Sequence, residues 1–146
     1  MAASTSTTTP TGDLYVNQPY LMMRWDSDYR CVFAEWKAFA TSDEFQSALM
    51  KTLEVLRERH GVCFVTDARK LEVVSDEDQT WIRYTWAPLA IAAGLERLAV
   101  VEARHGLAKF AIDKMFKGRR KTALQSRIFD SMEDAMKWVS EAQVEP

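Results

Sequence analysis

The run Val62-Cys63-Phe64-Val65-Thr66 constrains this chain more than any other stretch, because it is almost wholly apolar and lies between two helical patterns. Five such residues are too few for a helix and suit an interior strand. Helix, strand and helix in that order place the strand inside a parallel sheet, since parallel neighbours require a crossover. Asp67-Ala68-Arg69 follow at once, then a charged loop, the cap residue Ser75, and a helix holding Trp81, Tyr84, Trp86 and an internal Pro88. Most of the unusual polar and aromatic chemistry falls between Asp67 and Pro88.

The rest of the chain arranges itself around that strand. Residues 20–25 and 31–39 are β-prone runs joined by Asp26-Ser27-Asp28, the mark of a hairpin. In the second run Val32, Ala34 and Trp36 share one face while Phe33, Glu35, Lys37 and Phe39 share the other, which predicts one buried and one partly wet face. Residues 41–60 read as a helix: Thr41 and Glu44 match a capping box, and Phe45, Leu49, Leu53 and Leu56 form an apolar stripe. Gly61 stands where a left-handed helix stop is expected. Residues 75–93 are the second helix, with a kink expected at Pro88, which has no N–H to give Tyr84. Then come a strand at 98–103, a helix at 107–116, a half-exposed strand at 124–129 and a final helix at 131–142.

The expected class is therefore α/β, in the order ββαβαβαβα. It has a mixed, mostly parallel five-stranded sheet with helices mainly on one face. Residues 1–18 read as a flexible Ser/Thr-rich tail, 19–142 as one domain and 143–146 as a short tail. At 146 residues and 47% hydrophobic the chain is long and apolar enough for a single real core. A formal net charge of −2 supplies no overall field for nucleic acid, and no apolar run approaches the roughly 20 residues of a membrane span. The first residues lack the basic and apolar parts of a secretory signal, so the cytoplasm is expected. Cys31 and Cys63 lack metal spacing and read as buried free thiols.

Several of these stretches resemble one family. They are Val32 to Phe39 (VFAEWKAF), Asp67-Ala68-Arg69, Ser75 to Ile82 (SDEDQTWI), Trp86-Ala87-Pro88, Gly94-Leu95, and Phe129-Asp130-Ser131 through Trp138-Val139. Together they are similar to STAS-type domains, the fold of anti-sigma-factor antagonists such as SpoIIAA, shared with the CRAL-TRIO lipid-transfer core. More narrowly they resemble bacterial SpoIIAA-like proteins of unassigned function. The resemblance implies roughly sequential strand order with helices on one side, and no settled activity. It does not carry over the phosphorylatable serine of the antagonists: Ala68 and Arg69 follow Asp67, and Ser75 comes only after a longer loop.

The candidate ligand- or partner-binding residues are Asp67, Arg69, Ser75, Asp78, Trp81 and Tyr84. Asp67 and Arg69 follow the end of a parallel strand, where open α/β sheets hold ligands, although an internal ion pair, or loop amides donating to Asp67, explains them more simply. Ser75 and Asp78 match a helix cap. Asp76, Glu77 and Asp78 already occupy the positive end of the helix dipole, which disfavours phosphate and favours a basic partner surface. Trp81 and Tyr84 lie beside the core stripe and offer aromatic contact area. The basic run Lys117-Gly118-Arg119-Arg120-Lys121 lacks interleaved aromatics and reads as a solvated helix end. No catalytic set, metal site or cofactor motif stands out. The expectation is a non-catalytic regulatory or protein-interaction module forming a homodimer. The alternative is a binder of a small apolar or lipid-like ligand between the sheet and the Pro88 helix.

Overall fold

The structure, a computed structural model, describes residues 12–117 and 124–141. Six strands form one sheet in sequential order: β1 (Asp13–Gln18), β2 (Leu21–Asp26), β3 (Cys31–Trp36), β4 (Cys63–Asp67), β5 (Arg97–Val101) and β6 (Gln125–Phe129). The first three pair antiparallel and the last four parallel, so the sheet is mixed. The helices are α1 (Ser42–Arg59), α2 (Asp76–Trp81), α3 (Ala87–Ala92), α4 (Leu107–Lys117) and α5 (Met132–Glu141).

The sheet has six strands where five were expected, because Asp13–Gln18, assigned to the tail, pairs with β2. Its pattern carries no clean alternation and a register shift falls between Leu14 and Val16, so period-2 reasoning missed it. The strand is held from the side: the Tyr15 hydroxyl donates to Glu58 at 3.0 Å, and Arg59 of α1 donates to the Tyr15 oxygen and pairs with Asp13.

Strands β3, β4 and β5 each bury both of their faces, while β6 is only partly buried. Val32, Ala34 and Trp36 of β3, with Phe64 and Val100, pack under α1, α2, α3 and α4. Cys31 and Phe33, with Cys63, Val65, Ala99 and Val101, pack against Met132, Ala135, Trp138 and Val139 of α5. The expected wet face of β3 is thus covered at Phe33, which is buried, and the strand ends at Trp36, leaving Phe39 beyond it and exposed. Cys31 and Cys63 are register partners on adjacent strands, and both are buried thiols.

Helix α1 begins with the capping box read from Thr41 and Glu44. Its end differs from expectation: His60 takes the left-handed conformation (φ 56°), not Gly61. Gly61 is required for another reason, since a Cβ there would lie 2.6 Å from the Trp25 ring. Just before Pro88, where a kink is expected, the helix takes a π turn over Ile82–Trp86, with the Ala87 N–H donating to the Ile82 carbonyl. The wider turn accommodates the proline without breaking the helix. Trp86 emerges from it into the core, where its Nε1 donates to the Leu49 carbonyl of α1 at 2.7 Å. Among the described residues, no helix is long and apolar enough to cross a membrane.

Candidate functional site

The six residues singled out from the sequence fall into two groups on opposite faces of the sheet. Asp67 ends β4 in register with Glu35 and Val101, on the face that carries α5. Its Oδ1 accepts from the Arg69 backbone N–H (3.2 Å) and Nε (2.9 Å), and its Oδ2 accepts from Nη2 at 2.8 Å. This two-pronged pair satisfies a carboxylate that is almost fully buried. The Asp67 hydrogen bonds raise the Arg69 guanidinium above its ordinary value, and the charge of Glu35 adds to that. Asp67 and Arg69 therefore occupy each other, as in the ion-pair reading.

Ser75, Asp78, Trp81 and Tyr84 lie on the other side, along α2 and the π turn. The Ser75 hydroxyl caps α2 by accepting the Asp78 N–H at 3.1 Å. The Asp78 side chain turns inward: its Oδ1 accepts from Ser42 Oγ (2.7 Å) and from Gln46 Nε2 (2.9 Å), tying α2 to the first turns of α1. Asp78 is a buried strut rather than a contact residue. Trp81 is partly buried against the core. Tyr84 is 71% exposed and borders a shallow groove of about 390 Å³ with Asp76, Thr80, Arg83 and Lys114. Lys114 reaches Asp76 at 3.6 Å and Arg83 donates to the Met115 carbonyl, so the groove joins α2 to α4. Of the basic run, Lys117 ends α4 and residues 118–121 lie outside the described residues.

A second cluster escaped sequence reasoning. Glu102 follows the last residue of β5 and is buried, with Oε1 accepting from Lys109 Nζ at 3.0 Å. Lys109 also donates to Asp113 at 2.6 Å, while Glu102 Oε2 is buried without a hydrogen-bond partner. Burial is the main cause pushing the Glu102 carboxyl above its ordinary range; Lys109 lowers it and Asp113 raises it further. A crevice of about 500 Å³ opens here, lined by Glu102, Arg104, Lys109, Ile128, Phe129 and Asp130 among others. Two signals were available: a carboxylate closing the apolar run Leu98-Ala99-Val100-Val101, and Lys109 four residues before Asp113. The apolar stripe of the helix, the stronger pattern in that stretch, does not point to them.

Between the sheet and the helices lies an apolar cavity of about 90 Å³, bordered by Phe64, Leu71, Trp86, Val100, Ile112 and Phe116 among others. Among the described residues, no cluster of three or more His, Cys, Asp or Glu could hold a metal ion. Compared with known proteins, the chain matches no family model and no curated protein.

Two outcomes follow from this geometry. Asp78→Ala removes two hydrogen bonds to a charged acceptor and should destabilise the protein by roughly 2–4 kcal/mol, whereas Ser75→Ala should cost about 1 kcal/mol. Equal effects in urea unfolding would refute the strut assignment. The folded Glu102 keeps its proton to higher pH than the unfolded chain does, so the folded state binds more protons there and loses stability as pH rises above the ordinary glutamate range. The buried Asp26 carboxyl, also raised mainly by burial, acts in the same direction. In thermal melts from acid to neutral pH the Tm of the wild type should therefore fall relative to that of Glu102→Gln; an identical slope in the variant would contradict it.

Proposed function

We propose that this chain is a non-catalytic regulatory or protein-interaction module of SpoIIAA-like, STAS type, and that its first partner is a second copy of itself. The supporting observation is the exposure of three large apolar or aromatic side chains on neighbouring elements: Tyr84 (71%), Phe110 (71%) and Leu107 (70%). Leu107, Phe110 and Lys114 recur at helical spacing along one side of α4, and the groove joins Lys114 to Tyr84. Single exposed apolar residues are ordinary, whereas a run of them bordered by charge marks a contact surface. Here the borders have opposite sign, with Asp76 and Glu77 on α2 and Lys114 and Lys117 on α4. A two-fold axis through such a strip sets the acids of one copy against the bases of the other. Asp67 and Arg69 remain an internal pair in this reading.

Light scattering over a concentration series tests it. The wild type should exceed its monomer mass of 16.7 kDa, and Tyr84→Ser with Phe110→Ser should return to it with an unchanged melting profile. A wild-type mass that stays at the monomer value throughout sinks the proposal.

The apolar cavity favours a second reading, binding of a small apolar group between the sheet and the π turn. Its volume is well below the roughly 300 Å³ at which drug-sized pockets begin, so it suits a ligand or ligand fragment of a few heavy atoms. Benzene titrated into the protein should shift the methyl signals of Ile112 and Met115 saturably. Unmoved signals there would remove this reading and leave the first untouched.

A further inference from the structure

The crevice at the ends of β5 and β6 goes beyond that reading. It sits where the chain divides: after β5 it enters α4 on one face of the sheet, and after β6 it enters α5 on the other. Open sheets hold ligands at the carboxyl ends of strands, in the gap that such a divergence leaves. Its volume of about 500 Å³ falls within the range of small-molecule sites.

The charges inside it do not balance locally. Glu102 and Asp113 share a single lysine, Lys109, so with both carboxyls ionised the triad is one positive charge short. Glu102 is more than nine-tenths buried, and its second oxygen has no donor. An orphaned buried carboxylate oxygen is costly until a donor reaches it. Close by, the imbalance is reversed. Arg104 lines the crevice, is exposed, and among the described residues has no ion-pair partner. The amino end of α4 is preceded by Gly106, which has no side chain to cap it, so the first-turn N–H groups and the dipole add positive character. A simple anion would meet Glu102 and Asp130, and a simple cation would meet Lys109 and Arg104. A molecule carrying both charges meets neither objection. Ala103, Ile128 and Phe129 supply apolar wall between the two ends.

We propose that this crevice binds a small zwitterion, a free α-amino acid with an apolar side chain. Its ammonium donates to Glu102, its carboxylate is received by Arg104 and the start of α4, and its side chain lies against Ile128 and Phe129. The ammonium supplies the positive charge that the Glu102–Lys109–Asp113 triad lacks. Glu102 and Arg104 act as binding residues, and no bond is made or broken.

The test uses the full chain, two-dimensional amide NMR and a defined panel: L-leucine, L-phenylalanine, and each as its N-acetyl and methyl-ester derivative. At least one free amino acid should shift amides in residues 102–109 and 128–131 saturably. Both derivatives should bind at least about tenfold more weakly, since each lacks one of the two charges. Arg104→Ala, at an exposed position, should weaken binding about tenfold without altering the rest of the spectrum, and Glu102→Gln should weaken it by a similar factor. Neither amino acid shifting those amides, N-acetyl derivatives binding as well as the parents, or full affinity in Arg104→Ala would each overturn the proposal.

Discussion

Burial of β3, β4 and β5 on both faces is the condition from which the rest of the architecture follows. Phe33, Val65 and Val101 are as thoroughly removed from water as Val32, Phe64 and Val100 on the reverse side. Right-handed crossovers between sequential parallel strands deliver α1, α2 with α3, and α4 to a single face. Only a segment outside those crossovers is left to cover the other, and α5 fills that place. Arg97 secures it by donating to the Trp138 carbonyl at 2.6 Å, and Arg97 and Arg127 lie over the Trp138 ring. The chain must therefore turn opposite ways after β5 and after β6, and the crevice is the geometric consequence.

The helix layer on the crossover face is aligned by a few buried polar bonds rather than by apolar contact alone. Asp78 ties α2 to α1, and Trp86 Nε1 ties the π turn to the Leu49 carbonyl. Apolar packing tolerates sliding, whereas these bonds have directions, and each would leave a costly orphan if the helices shifted. Against this background of satisfied groups, two buried atoms stand out as unpartnered among the described residues: Arg24 Nε and Glu102 Oε2. Arg24 retains a contact through Nη1 with the Gly12 carbonyl, at an exposed position. Glu102 alone combines the defect with a cavity of ligand size.

Local patterns in the chain were largely legible, and pairings between distant elements were not. The Thr41–Glu44 capping box, the apolar stripe of α1 and the Ser75 cap are written within one helical turn and appear as read. Strand β1 was missed because its register shift breaks the alternation. The second buried face of β3 was missed because α5, which covers it, follows roughly a hundred residues later. Asp78 looked like part of an acidic surface, since Asp76, Glu77 and Asp78 are indistinguishable as letters. Only the approach of Ser42 and Gln46 from α1 selects the third as buried. The same reasoning explains Glu102: a carboxylate after an apolar strand becomes informative once Lys109 is known to point back at it.

Helix α4 shows how one short element can serve several demands without conflict. Ala108, Ala111 and Ile112 face the core. Leu107, Phe110 and Lys114 take the solvent side, and Lys109 and Asp113 turn toward the end of β5. Each set recurs every three or four residues, so the three sets wind past one another around a single cylinder. Exposed Leu107 and Phe110 share no side-chain partner with Glu102, so changes on the outer strip and in the crevice should combine independently. The acidic start of α2 does not have that freedom, because Asp76 reaches Lys114 across the groove while Asp78, two residues on, holds α1. Contact surface and structural strut are joined there within one turn, so charge at Asp76 is open to variation while charge at Asp78 is not.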